Sequence, residues 1–276
     1  MKKSIIAAAS AVIASAAVLA DTPKGVAVAE MASLFKDFDK VQAAATMAPD
    51  LIQHNQAVPN GAAVLIDLIP TLKESGISAT THRLISEGNM VVAHNEYKNA
   101  KVFGGDHLAA FDVFRIEDGK VAEHWDNLTP VTAPNPSGRT QFDGTTVVTD
   151  LDKTAENKAV VTSFVYDVLH GKAPDKITDY ISTETYLQHN SGVADGLDGL
   201  GAAIKAMADA GLSMTYSDTH MIIAEGNFVF TASEGEFSGD HVAFYDLFRV
   251  DGGKIVEHWD VIQTISEKSA NDSGKF

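Results

Sequence analysis

The chain has 276 residues, with 21 basic against 37 acidic side chains and a formal net charge of −16. A surface of that sign repels the phosphates of nucleic acid and of anionic lipid. The lack of cysteine rules out disulfides, thiolate metal sites and a lipid-modified cysteine. At the start, Lys2 and Lys3 precede an apolar run from Ile5 to Leu19, and "AVLADT" supplies small residues before Asp21. This is the layout of a secretory signal peptide over residues 1–20. The run, about 15 residues, is shorter than the ~20 that a membrane-spanning helix needs. The expectation is cleavage after Ala20 and a periplasmic or secreted protein, the alternative being a retained N-terminal anchor. No later stretch is apolar enough to cross a bilayer.

The remainder is written twice. "LIQHN" from Leu51 returns as "YLQHN" ending at Asn190. "THRLISEGNMVV" from Thr81 returns as "THMIIAEGNFVF" from Thr219, and "GDHLAAFDVFRIEDGKVAEHWD" from Gly105 as "GDHVAFYDLFRVDGGKIVEHWD" from Gly239. Three blocks in one order mean duplication, and a unit this long can bury its own core. The domains are therefore placed at 21–132 and 154–265. Between them a linker, 133–153, is rich in Pro, Gly, Thr and Asp. Residues 266–276 read as a frayed polar tail.

In the first copy, helices are predicted near Val26 to Phe35, Lys40 to Met47 and Ala62 to Glu74. The strands "SATTHRLIS", "NMVVAHNEY", "HLAAFDVFRI" and "KVAEHWDNL" follow, each bounded by Gly, Asp or Asn. In the second copy the apolar stripe Val160, Val161, Phe164, Val165, Val168 and Leu169 marks a helix over Asn157 to Leu169. A second helix is predicted near Lys176 to Ile181. A third is capped by Asp195 or Asp198 and stopped by Gly211. Asp118-Gly119 and Gly252-Gly253 are two-residue hairpin turns. Helices first and an antiparallel sheet afterwards make an α+β fold: two tandem cone-shaped domains, each with three helices on one face of a curved sheet.

Alternation sorts the last hairpin. With a simple two-residue turn, Arg115 faces Ala122, Val113 faces His124 and Phe111 faces Asp126. One face then holds His107, Phe111, Val113, Arg115, His124 and Asp126, and the other Asp112, Phe114, Glu123 and Trp125. The second copy gives His241, Tyr245, Leu247, Arg249, His258 and Asp260 against Asp246, Phe248, Glu257 and Trp259. A bulge at the turn would shift the partners across the hairpin while keeping the alternation within each strand. Histidine beside a carboxylate and an arginine can move protons and hold an oxyanion. Four histidines recur in register, His54 with His189, His82 with His220, His107 with His241 and His124 with His258. Trp125 and Trp259 read as packing or interface residues. Asp112 and Asp246, between apolar neighbours, either pair with a buried donor or act at a site. No tight metal-ligand spacing, phosphate loop or nucleophile elbow is present, so neither metal nor cofactor is expected.

These stretches resemble the SnoaL-like branch of the nuclear transport factor 2-like superfamily. "LIQHN…VPNG", "HRLISEGNMVVAH" and "FDVFRIEDGKVAEHWD" carry the resemblance in the first copy, and "YLQHN…VADG" and "FYDLFRVDGGKIVEHWDVIQ" in the second. It implies an α+β cone around a pocket. The branch is named for polyketide cyclases that use aldol chemistry, and its relatives include isomerases, dehydratases and epoxide hydrolases. In the epoxide hydrolases the last strand carries two pocket residues two positions apart, which implies His124 with Asp126 and His258 with Asp260 as catalytic residues. His54, His107, Arg115, His189, His241 and Arg249 are the candidate substrate-binding residues, with His54 and His189 at the pocket mouth. The branch's "HWDxxQ" ending is matched by Gln263 in the second copy alone, and its "VVxH" by His94 in the first alone, so both join the candidate binding residues. Single-domain members dimerise through their sheets, which implies that the two copies pair within one chain. Two functions follow: a cofactor-free acid/base enzyme of aldol, isomerisation or hydration type, or a periplasmic protein that binds a small ligand without chemistry.

Overall fold

The structure, a computed structural model, describes residues 22–276. The expected signal peptide lies outside the described residues. Helix α1 (Pro23–Phe35) starts where the Thr22 hydroxyl accepts the Gly25 N–H at 3.1 Å, with Pro23 in the first turn. Helix α2 (Lys40–Thr46) is capped by Asp39, which accepts from the N–H of Val41 and of Gln42. Strand β1 (Met47–Gln53) follows, then α3 (Ala62–Ser75), which stops at left-handed Gly76. Four strands complete the first domain: β2 (Ser78–Glu87), β3 (Met90–Lys98), β4 (His107–Glu117) and β5 (Lys120–Pro130). The second domain repeats the order. It comprises α4 (Thr154–Phe164, extended by one π turn to Leu169), α5 (Ile177–Tyr180), β6 (Leu187–Gln188), α6 (Gly196–Asp209), β7 (Met214–Glu225), β8 (Phe228–Phe237), β9 (Asp240–Asp251) and β10 (Lys254–Thr264).

The sheets run β1-β5-β4-β3-β2 and β6-β10-β9-β8-β7. Each expected helix and strand is present, and the fold is α+β in two tandem units. The sequence pattern missed β1 and β6, which pair in parallel with the last strand of each domain and lie between helices. They carry Gln53 and Gln188 to the sheet edge, directly beside the "EHWD" strands. Both hairpin turns have positive φ at their two central residues, Asp118 and Gly119 in one, Gly252 and Gly253 in the other.

Each sheet has two apolar faces. One is covered by its own helices, giving a core of Leu34, Leu51, Leu72, Tyr97 and Phe114 in the first domain and one of Val161, Phe164, Ile181 and Phe248 in the second. The opposite faces pack on each other. Phe111, Val113, Trp125, Phe228, Phe230, Tyr245, Leu247 and Trp259 form one core shared by both domains. Phe111 and Phe230 sit 5.5 Å apart across it, and the buried Asn127 amide donates to the carbonyls of Ala243 and Val261. The copies are an internal pair, as the resemblance implied.

The segment expected to fray is instead docked. Ala270 N–H donates to Gln56 O at 2.7 Å, Asn271 Nδ2 to the carbonyls of Asn55 and Val58, and Lys275 is buried. Its polar side chains satisfy the backbone of a loop in the first domain, so polarity here marks hydrogen bonding rather than solvation. Among the described residues, no helix is long and apolar enough to cross a membrane.

Phe111→Ala removes a fully buried ring from the shared core, and the expected loss is roughly 3–5 kcal/mol. Urea denaturation followed by tryptophan fluorescence checks this, with Trp125 and Trp259 both reporting because they line the same core.

Candidate functional site

One bulge decides the composition of the site. Ile116 pairs with Val121 as the turn dictates, but Arg115 then pairs with Glu123, leaving Ala122 unmatched. From there Phe114 faces His124 and Asp112 faces Asp126. The second domain does the same at Val256, so that Phe248 faces His258 and Asp246 faces Asp260. The expected pairs Arg115–Ala122, Val113–His124 and Phe111–Asp126 do not form. The alternation expected to persist along the last strand breaks at the bulge: Val121 faces the helices whereas Trp125 faces the other sheet, as Ile255 and Trp259 do in the second domain, and every partner across the hairpin moves by one. His124 and Asp126 therefore share the helix-covered face with Asp112 and Phe114. Phe111, Val113 and Arg115 go to the sheet-packing face with Glu123 and Trp125.

On the helix-covered face of the first domain, His124 is held at both nitrogens. Its Nδ1 lies 2.8 Å from Gln53 Oε1 and its Nε2 3.3 Å from Asp112 Oδ1. Gln53 Oε1 also accepts the Asn55 N–H, so it is an acceptor and the ring presents N–H to it. Asp112 Oδ2 accepts from Asn95 Nδ2 at 2.7 Å and from the Tyr97 hydroxyl at 3.0 Å. Asp126 Oδ2 accepts from Asn55 Nδ2 at 2.7 Å, while its Oδ1 is buried without a protein partner. A cavity of about 50 Å³ is lined by these groups together with Glu30, Met31, Phe35, Leu65 and Phe103. The second domain repeats the arrangement. His258 bridges Gln188 Oε1 at 3.0 Å and Asp246 Oδ1 at 2.9 Å, and Asn190 Nδ2 donates to Asp260 at 2.6 Å. There the phenol on the inner aspartate is Tyr216, from β7.

The other sequence candidates lie elsewhere. His54 stacks on Trp125 and meets Glu123 Oε1 at 2.8 Å; His189 stacks on Trp259 and meets Glu257 Oε1 at 3.0 Å. Neither closes a pocket mouth, because β1 and β6 put these histidines on the outer face while Gln53 and Gln188 turn inward. Arg115 and Arg249 pair with Glu123 and Glu257 there. His107 and His241 pair with Glu96 and Glu234 near the surface. His94 stacks on Phe111 and accepts from Arg83 Nη1; burial, with the charges of Arg83 and His82, holds it well below the ordinary imidazole range. Gln263 accepts from Lys275 Nζ at 2.9 Å, outside the cavity.

The SnoaL-like domain profile matches residues 28–124 and again residues 161–258. This chain belongs to the SnoaL-like family. The chain is also similar in part to solved structures. TsrD from Streptomyces laurentii is 22% identical over 37% of this chain and 84% of its own, with a TM-score of 0.32. A candidate polyketide cyclase from Bacillus cereus is 18% identical over 38% and 72%, with a TM-score of 0.33. An LEH-like epoxide hydrolase from M. tuberculosis is 21% identical over 40% and 85%, with a TM-score of 0.31. No curated protein matches.

Within these SnoaL-like domains the charges differ. Burial alone would lower His124, but its hydrogen bond to Asp112 and the charges of Asp126, Asp112 and Glu30 raise it above the ordinary range. His258 is raised in the same way by Asp246 and Asp260. Burial raises Asp126, with His124 and Lys275 pulling it down; burial likewise raises Asp260, opposed by His258. Glu30, on α1, is pushed by burial up to about 7, and its Oε2 has no protein partner. In each domain the ligand atoms of the Asp–His–Asp trio lie within 4.8 Å of one another, close enough to hold a cation. Both imidazole nitrogens are already engaged, however, so a bound ion would have to displace one of those hydrogen bonds.

Asp112 and Asp246, expected either to pair with a buried donor or to act at a site, meet buried donors beside the histidines; Gln53, Gln188, Asn55, Asn190, Glu30, Tyr97 and Tyr216 complete the sites and are not among the sequence candidates. The amides flank the histidine of the repeated "QHN". Glu30 stood out as a lone acid in "VAVAEMASLF". The two tyrosines gave no repeat signal, because they come from different strands.

Glu30→Gln tests the buried acid. Its folded-state value of about 7 lies above the reference 4.5, so the native state retains a proton that the unfolded chain releases, and stability falls as pH rises from 4.5 to 7. The glutamine variant is expected to be more stable than the parent at pH 8 by roughly 1–3 kcal/mol, the gain fading toward pH 5. Urea midpoints at the two pH values check it.

Proposed function

We propose that the first domain binds a small carbonyl compound in the cone and removes a proton next to the carbonyl, the opening step of aldol or isomerisation chemistry. The observation that carries this is Asp126. It is a buried carboxylate with one oxygen tied to Asn55 and the other without a protein partner, in a cavity shared with an imidazole that Asp112 and Asp126 hold above its ordinary range and with an acid that burial pushes up to about 7. Asp126 Oδ1 takes the α-proton, the C–H bond breaks, and its electron pair moves to the carbonyl oxygen as an enolate. Glu30, protonated near neutral pH, donates its hydrogen bond or its proton to that oxygen. His124, kept cationic by Asp112, holds Asp126 ionised until it accepts the proton. Burial makes Asp126 a stronger base than a surface aspartate.

The second domain has the same Asp–His–Asp arrangement, but the charges that act on His258 and Asp260 are those of Asp246 and of each other, with no acid from α4 among them. It supports the reading of a binding site or a weaker copy. The Lys2–Leu19 pattern supports export, and the purified periplasmic protein is expected to begin at Asp21, as read by N-terminal sequencing.

The test is α-proton exchange of small ketones in D2O, followed by NMR. The parent protein exchanges them, and Asp126→Asn lowers the rate on the order of 100-fold or more. Exchange that is unchanged in Asp126→Asn removes the base. Saturable ketone binding without exchange in the parent instead selects ligand binding without chemistry.

A further inference from the structure

The linker and the segment after the second domain carry one motif. Asn135-Pro136-Ser137-Gly138-Arg139 and Asn271-Asp272-Ser273-Gly274-Lys275 share Asn, Ser, Gly and a cation at equal spacing, and Phe142 and Phe276 follow. The shared shape follows from the shared letters. Each Asn Oδ1 accepts the N–H of the Ser two residues on, at 2.9 and 3.1 Å, and each Gly is left-handed, with φ of 81 and 80.

The two straps are exchanged between the domains. Asn135 Nδ2 donates to the carbonyls of Gln188 and Val193 in the second domain. Asn271 Nδ2 donates to those of Asn55 and Val58 in the first. The Thr140 carbonyl lies 2.8 Å from His189 Nδ1, and the Gly274 carbonyl 3.1 Å from His54 Nδ1. Each domain's "QHN" loop is clasped by the segment that follows the other domain.

The cations part company. Arg139 pairs with Asp195. Lys275 is buried, and its Nζ donates to the Asp126 carbonyl at 2.6 Å and to Gln263 Oε1 at 2.9 Å. Beside it is a second cleft of about 190 Å³, lined by Gln56, Gln263, Lys268 and Lys275. This cleft and the site cavity share two wall residues, Asn55 and Asp126, which are hydrogen-bonded at 2.7 Å. A cavity of about 50 Å³ has room for only a few waters, so any larger ligand requires a wall to move.

We propose that this cleft is the entrance to the first domain's site, that the Asn55–Asp126 pair is its gate, and that segment 266–276, latched through Asn271 and Lys275, holds the gate shut. The proposal rests on the reading that the cone takes a ligand. The loop that carries Asn55 is tied down from above by the strap, so releasing Asn271 and Lys275 frees it while the sheet beneath stays intact. On the second domain the cation of the strap, Arg139, latches to the Asp195 carboxylate, so the two sites open independently.

Histidine carbethoxylation by diethyl pyrocarbonate, resolved by mass spectrometry, reads access without any ligand. The full chain is compared with Lys275→Met and with a chain lacking residues 269–276. His54, which the strap covers, reports strap release; His124 reports the gate; His258 reports the other domain. The expected result is a rise in the His124 rate of about tenfold in the deletion and a smaller rise in Lys275→Met, with His258 unchanged. If His54 gains and His124 does not, the strap is only a cover and the proposal fails. If His258 rises equally in the deletion through loss of fold, Lys275→Met decides, and an unmoved His124 there overturns the gate. A demonstrated gate with no ketone exchange would sink the functional reading alone.

Discussion

A single unmatched residue on the last strand, Ala122 in one domain and Val256 in the other, determines what chemistry each cone contains. Without it His124 would face Val113 and the inner aspartate would lie behind the sheet. With it, Asp112 and Asp126 flank the imidazole, and Arg115 is brought level with Glu123 for an ion pair at 2.7 Å on the opposite face. The same displacement thus separates two kinds of polar network. The inner one is enclosed and left with an unfilled acceptor. In the outer one Glu123 is engaged by both His54 and Arg115, and His54 in turn stacks on Trp125 and meets the Gly274 carbonyl of the docked segment.

Duplication preserved this arrangement and then let its details drift. The inner aspartate receives a phenol in both domains, but Tyr97 comes from β3 and Tyr216 from β7. Position is conserved in space and not in the chain. Glu30 adds an acid to the first cone, and Lys275 adds a cation whose charge acts on Asp126 from the adjoining cleft. A homodimer of single domains would have to carry every substitution on both sides. Two fused copies share the hydrophobic sheet-to-sheet contact while each site changes by itself.

The fold was legible because its signals are local and repeated: helix stripes, alternating strands, and two hairpin turns with the residues that positive φ requires. The strand residues His124, Asp126, His258 and Asp260 were legible for the same reason. Their company was not. The bulge leaves no mark in "GKVAEHWD" that a straight strand would lack, so Arg115 was expected where Asp112 stands. His54 and His189 attracted functional expectation through residue type, whereas the neighbouring Gln53 and Gln188 face the cavity. The short parallel strands that set this orientation are too brief for periodicity to reveal. Residues 266–276 looked solvated because their polarity is satisfied by a distant backbone, a partnership of long sequence separation that composition does not encode.

That separation has a consequence for how the molecule is made. The loop around Asn55 is completed by Asn271, 216 residues later. During synthesis the first domain can form its helices and sheet early, yet its "QHN" loop and one sheet face wait until the second domain has emerged. Contacts of such span close slowly, since the intervening chain must be ordered before they contribute. The crossed straps therefore make the finished state of each half conditional on the other, so that a half-built chain carries the cone and the imidazole but not yet the closed site.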